Sequence, residues 1–434
     1  MRWLSAPHRI GASLSRLAPT HAAELDRADR EEHGFVVDGE ECAATYVSVG
    51  ALRQGIPTVR SFTFFAVFSL ISVTGCARAE RAEPSATVRA ARPATPAPKG
   101  PYVQARYEPS SDRFAQGDVE IPAPATPVDP PAAKTFAEQR TQLYGTMQRE
   151  LGLDGPTMTT IRGIFEGSPL LGQGRPEDTV HPMTRQECRE VRAKADVVEG
   201  DPRCGRPNMV PIYNPDAGET ADTATTCIDQ FEFPNIACEY PVTYASALEA
   251  SELCEAVGER LCDAHEWEGA CAGSVLPPEQ EYAFDQQTRP NMTLKHNATR
   301  PITWAYGPEE DKARCGEWSF KSETCDPSGL VRCGSNTYPA GAWPACVSPF
   351  GVYDQHGNAA EHMNLPTKPS ELTSRGGSGR TEMKGSWFIG GKGTLYPDDC
   401  RFRAPDWHPS PVKMEGSHRN YHLGFRCCSN VAKD

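Results

Sequence analysis

At 434 residues and 38% hydrophobic content, the chain is long enough for about two or three domains, at least one of them well packed. A net charge of −13, with no basic stripe to offset the acids, argues against nucleic acid and against an anionic membrane surface. Neutral or cationic partners remain.

In chain order, the first informative run is Val59 to Cys76, VRSFTFFAVFSLISVTGC, with a basic residue at Arg60 and an apolar stretch from Phe62 to Val73. This is the architecture of a secretion signal. The stretch is shorter than the ~20 residues a transmembrane helix needs. Its VTGC ending resembles a bacterial lipoprotein box, which makes Cys76 the lipidation site and first residue of the mature chain. The expected location is therefore the bacterial cell envelope, lipid-anchored on the periplasmic or surface face of the outer membrane, with the anchor as the sole membrane contact. Because signal segments begin chains, residues 1–58 are expected to be an untranslated or disordered extension, with translation starting at Val59. Residues 77–134 are rich in Pro and Ala and poor in large apolar side chains, which predicts a disordered tether.

A helical and irregular lead-in is expected over 135–226. Phe136, Leu143, Met147 and Leu151, then Met158, Ile161 and Phe165 after the Gly155-Pro156 break, recur at helical spacing and predict two short helices packed on the next domain. Residues 172–226 read as irregular surface held by disulfides through Cys188 and Cys204. Setting aside Cys42 and Cys76, 16 − 2 = 14 cysteines remain, an even number suited to pairing in an oxidising compartment.

The main domain, 227–434, opens with the alternating run CIDQFEFP, which fits a half-buried strand. Helix formers from Ser246 to Val257, ended by Gly258, place Cys254 on a helix. Asp263 and Glu266 form a capping-box pattern for a helix from Ala264 to about Ala272. The helical rise sets Cys262 and Cys271 ~13 Å apart, beyond the ~7 Å limit for a disulfide between them. His265 and Glu268 read as exposed positions of that helix. From Gly273 to Phe350 the chain is loop-rich, and Cys315, Cys325, Cys333 and Cys346 lack the close pairs of structural zinc sites. In GVYDQHGNAAEHM (Gly351 to Met363), Gly357 and Asn358 suit a turn. Asp354, Glu361 and the carbonyls of Gly357 and Ala359 offer the all-oxygen ligand set of structural Ca²⁺, while two solvated surface acids are the simpler reading of the same spacing.

This turn keeps ordered company: GERLCDAHEWEGACAG (Gly258 to Gly273), KGSWFIGG (Lys384 to Gly391), CRFRAP (Cys400 to Pro405) and LGFRCC (Leu423 to Cys428). Together these resemble the formylglycine-generating enzyme, or sulfatase-modifying factor, family, whose relatives include ergothioneine-pathway sulfoxide synthases and pyoverdine-maturation proteins. The resemblance implies an α+β, C-type-lectin-like domain of the formylglycine-generating-enzyme fold with little regular secondary structure, stabilised in places by Ca²⁺, with Trp267 in the core. It implies an oxidase that binds Cu(I) through two cysteines just after the Gly-Ser-aromatic segment. Here residues 385–393, GSWFIGGKG, hold no cysteine, and the nearest is Cys400. Family geometry brings Cys400 near the terminal strand, where Cys427 or Cys428 would be its disulfide partner. Iron-dependent relatives take histidines from an attached helical domain, whereas here His181 stands alone between Lys134 and Cys227. The residues therefore argue against Cu and Fe. The resemblance places a ligand cleft at Trp387, Arg401, Arg403, Trp407 and His408, suited to a peptide, protein or glycan, although Arg401 and Arg403 serve equally well as core residues bonding loop carbonyls. Two functions compete: an envelope binding module without the copper site, and a metal-dependent oxidase with a rearranged site, for which His356, His362, His408, His418 and His422 are the available ligands.

Overall fold

A computed structural model describes residues 129–286, 288–326, 331–389, 397–404 and 410–431. The extension, signal run, Cys76 and nearly all of the tether lie outside the described residues, as do Trp407 and His408.

The apolar stripe of the lead-in forms two helices, α1 (Phe136–Glu150) and α2 (Gly155–Gly167). Thr135 caps the first through Glu138 N, and Asp154 caps the second through Thr157 N. Leu143, Met147, Met158, Ile161 and Phe165 are buried in one cluster with Leu253, Val257 and Phe425 of the main domain. The lead-in thus shares the domain's core, and burial of this stripe holds two otherwise marginal helices in place.

Residues 172–226 are more regular than their sequence suggests. They contain α3 (Arg185–Arg192), closed by a Thr184/Glu187 capping box, and the buried strand β1 (Met209–Ile212). Pro211 hid this strand. Proline is excluded from central strands but tolerated at an edge, and β1 is the edge of its sheet.

The remaining elements are β2 (Thr226–Asp229), α4 (Ala247–Ala256), β3 (Arg260–Leu261), α5 (Ala264–Ala272), α6 (Pro278–Glu281), α7 (Arg289–Thr299), β4 (Ala360–Leu365), β5 (Arg380–Lys384), β6 (Leu423–Phe425) and β7 (Cys427–Asn430). One sheet runs β1-β2-β7-β3, with every pair antiparallel. The other runs β5-β4-β6, antiparallel at β4–β5 and parallel at β4–β6. Loops connect these short elements, most extensively between α7 and β4, and the fold is α+β as expected.

Cysteine pairing corrects one expectation. Cys400 joins neither Cys427 nor Cys428 but Cys271 on α5, with Cα atoms 5.4 Å apart. Cys427 pairs with Cys254 and Cys428 with Cys262. The reason lies in β7, whose neighbouring side chains face opposite sides. β3 pairs with β7 so that Leu261 stands opposite Cys427 and Arg260 opposite Cys428, which leaves Cys262 at the strand end within reach of Cys428. Cys427 faces the α4 cluster instead. The other bonds are Cys188–Cys238, Cys204–Cys227, Cys315–Cys346 and Cys325–Cys333.

His265 and Glu268, expected on an exposed face of α5, are 5% and 0% exposed. Residues 397–404, the end of β5 and the residue after α6 supply the partners that permit this: Glu268 receives both arms of Arg403, each at 2.8 Å, and the Lys384 ammonium. His265 Nδ1 lies 2.9 Å from the Tyr282 hydroxyl. Asp263 caps α5 in company with Glu266, which bonds back to Asp263 N, and its carboxylate also collects Asn364, Thr373 and Ser374.

Peptide mapping without reductant is expected to recover the 271–400, 254–427 and 262–428 linkages. Replacing Cys271 and Cys400 together by alanine should cost ~2 to 5 kcal/mol in denaturant unfolding. A Cys400 peptide linked to Cys427 or Cys428 would refute this map.

Candidate ligand site

The turn from Gly351 to Met363 has the backbone its residues suggest, with φ of 58° at Asp354, 75° at Gly357 and 52° at Asn358. It is buried rather than solvated: Asp354, His356, Asn358 and Glu361 are each at most 1% exposed. Asn358 Oδ1 accepts from Tyr338 N, and Phe388 N donates to the Asn358 carbonyl.

The expected calcium ligands are close in sequence but have different surroundings. Glu361 takes Arg426 on both oxygens at 2.6 Å, together with the Trp267 indole N–H at 3.1 Å. A cation would have to share Glu361 with that guanidinium. Asp354 Oδ2 accepts from Gly341 N, whereas its Oδ1 has no hydrogen-bond partner. Burial pushes the Asp354 carboxyl up to about 6.

Beside this turn, three separate segments converge on Ser386. Gly357 N donates to Ser386 Oγ at 2.9 Å, and the same hydroxyl lies 3.0 Å from Glu317 Oε1 and 2.9 Å from Asp398 Oδ2. One hydroxyl carries one proton, so it cannot donate to two carboxylates at once. The arrangement is satisfied if Glu317 holds a proton of its own. Burial, reinforced by the charge of Asp398, pushes Glu317 up to about 7. Burial acts on Asp398 in the same direction, but the company of His356, Lys312, Trp304 and Ser386 outweighs it and holds that carboxyl below its usual value. Two acids with opposed shifts on one hydroxyl can relay a proton or grip a polar ligand group.

Lys312, a fifth exposed, links this cluster to solvent, with Nζ 3.2 Å from Glu317 and 3.3 Å from Glu310. His356 completes it. Its Nε2 accepts from Ala305 N at 3.1 Å, which leaves the ring proton on Nδ1, 3.9 Å from Asp398. Burial disfavours a second proton on this ring.

Along the rim, Ser319 N bonds the Phe388 carbonyl at 2.7 Å, and Ser319 itself is buried. Its neighbours Trp318 and Phe320 are consequently turned outward, 48% and 43% exposed. Trp387 is half-buried and stacks on His422 with ring centroids 4.4 Å apart.

Of the expected cleft residues, the described structure brings only Trp387 to this rim. Arg401 and Arg403 are 3% and 1% exposed and act as core residues, Arg401 on Glu281 and Arg403 on Glu268. Sequence reasoning missed Glu317, Asp398 and Lys312. The motif KGSWFIGG already contained Ser386, but nothing in the spacing of the acids signals that they meet on its hydroxyl.

An acid raised by folding destabilises the native state where it must ionise. For Glu317 this cost begins near its usual 4.5 and is complete above about 7. Glu317→Gln, uncharged and with a donor of its own, should match the parent near pH ~4.5 and exceed it by roughly 2 to 3 kcal/mol at about pH 8. Urea unfolding at both pH values checks this, and a variant weaker at the higher pH would contradict it.

No curated protein matches the chain in sequence. Among solved structures, the Major Tropism Determinant I1 Variant aligns at 12% identity and a TM-score of 0.26, over 52% of this chain and 54% of that one. The chain therefore spans about half of that structure's length, at a likeness too distant to carry a conclusion. The profile of the sulfatase-modifying factor enzyme 1-like domain matches residues 216–431. That span contains both sheets from β2 onward, the Gly351 to Met363 turn and the Ser386 cluster. Residues 216–431 are thus a domain of the formylglycine-generating enzyme, or sulfatase-modifying factor, family.

Proposed function

We propose that this domain is a peptide- or glycan-binding module of a lipid-anchored envelope protein, rather than a copper oxidase of its family's type. The carrying observation concerns its sulfur. All fourteen cysteines among the described residues are in disulfides, and Cys400 is bonded to Cys271. Copper(I) chemistry on the family pattern needs two soft thiolates close together after the Gly-Ser-aromatic segment. At that position stand Trp387, Phe388 and Ile389, with Phe388 fully buried. These residues do not fit the metal.

A ligand has better support. Exposed Trp318 and Phe320 flank the Ser386 cluster, and flat aromatic faces beside buried polar groups suit a sugar ring or an extended peptide. Export and lipidation at Cys76 rest on the signal run and are consistent with the disulfides. Calcium remains a proposal at the Gly357 turn. It is supported by the unpartnered Asp354 Oδ1 and by four neighbouring carboxylates, Asp229, Glu232, Asp354 and Glu361, around Arg426.

Glycan and peptide arrays probed with the purified chain are expected to give ligands whose binding falls at least about tenfold in Trp318→Ala/Phe320→Ala, the usual effect of losing aromatic anchors. Oxygen uptake with a cysteine-containing peptide should stay at background. Copper-dependent uptake would defeat the binding reading. For calcium, a chelator should lower the melting temperature of the parent and leave Asp354→Asn unmoved. Equal melting of the parent with and without chelator would remove the cation from the account.

A further inference from the structure

The Cys271–Cys400 bond has a third neighbour. His356 Nε2 lies 3.3 Å from Cys271 Sγ and 3.9 Å from Cys400 Sγ, and all three residues are 0% exposed. Tetrahedral zinc, with Zn–S of ~2.3 Å and Zn–N of ~2.0 to 2.1 Å, sets nitrogen and sulfur ~3.6 Å apart and two sulfurs ~3.8 Å apart. The two observed nitrogen–sulfur distances bracket the first value. Only the sulfurs must separate, and their α-carbons, 5.4 Å apart, already allow them to stand side by side.

The histidine is in the right form. Its Nε2 carries a lone pair, now directed at Ala305 N, and its Nδ1 lies 3.9 Å from Asp398 Oδ2. A metal-bound imidazole commonly donates its other N–H to a carboxylate, which fixes the tautomer and raises the basicity of the ligating nitrogen. Three other groups of metal-type side chains occur among the described residues, and each holds a carboxylate already paired with an arginine: Glu266 with Arg260, Glu259 with Arg206, and Glu268 with Arg403. His356 faces the two sulfurs without a guanidinium of that kind.

We propose that the Cys271–Cys400 bond is the closed form of a redox-gated Zn²⁺ site, with Cys271, Cys400 and His356 as ligands and Asp398 as the positioning carboxylate. Opening takes two electrons from a dithiol, which becomes a disulfide as the Cys271–Cys400 bond breaks and each sulfur takes one proton. Zinc then displaces both protons, and water fills the fourth position. This site shares His356 and Asp398 with the Ser386 cluster, but its zinc readout does not depend on the ligand proposed above.

The test uses the full chain, reduced anaerobically with a phosphine, which supplies the same two electrons and, taking its oxygen from water, leaves as the phosphine oxide. Peptide mapping identifies the opened bonds, and near-ultraviolet circular dichroism follows the fold. Zinc is titrated against a chromophoric chelator, and Co²⁺ reports thiolate ligation by its charge-transfer band. The reduced parent is expected to bind one equivalent that the oxidised chain does not. Affinity should fall at least about tenfold in His356→Ala and about tenfold or more in Asp398→Asn. Cys325→Ser/Cys333→Ser, which removes a different disulfide, should bind as the parent does. The proposal is overturned by zinc binding that His356→Ala leaves unchanged. It is equally overturned if Cys271 and Cys400 are free in a folded chain that binds no zinc, or if their bond opens only with loss of the fold.

Discussion

Arg426 is the residue between β6 and β7, and therefore between the two sheets. Its guanidinium holds Glu361 of β4 by both oxygens, and it also donates to the carbonyls of Asp229, Gln230 and Tyr353. Trp267 of α5 adds its indole N–H to the same Glu361. One fully buried ion pair thus ties a strand of the second sheet, the end of β2, the central helix and the start of the Gly351 turn. Its worth is geometric more than energetic. Two charges taken out of water recover their hydration only when every remaining donor and acceptor finds a partner, and removing one partner of such a pair typically costs ~3 to 5 kcal/mol.

From that anchor the site follows. With β4 fixed by Arg426, the preceding turn must present Gly357 N and His356 inward, and Ser386, at the end of β5, meets them. The 271–400 bond then brings Asp398 alongside. Disulfides take over where secondary structure is sparse: the long loop between α7 and β4 carries two of them, Cys315–Cys346 and Cys325–Cys333. A domain with short strands and long loops has few backbone ladders to define it, so buried ion pairs and sulfur bonds set its register.

How much of this was legible follows from the range of each interaction. Local signals read true. The α1 and α2 stripe, the Ser246 and Asp263 helix starts and the Gly357-Asn358 turn all depend on neighbours within a few residues, whereas core Trp267 followed from the family resemblance. Long-range partners did not. Glu268 and His265 look like exposed helix positions until Arg403, Lys384 and Tyr282 meet them, and Arg401 and Arg403 look like cleft residues until Glu281 and Glu268 neutralise them. The pairing of Cys400 was misjudged for the same reason, because the register of β3 on β7 is invisible in a two-residue strand. The Ser386 cluster draws its acids from segments whose meeting no spacing rule foretells.

The central claim is that this family domain has closed its cysteines into disulfides and kept the fold for binding. Intact mass of the protein purified from its native cell, denatured with an alkylating reagent and no reductant, tests it most directly. The account predicts no added mass, with fourteen cysteines paired and Cys76 carrying lipid. Addition of two alkyl groups, mapped to Cys271 and Cys400 in protein that carries copper, would contradict it.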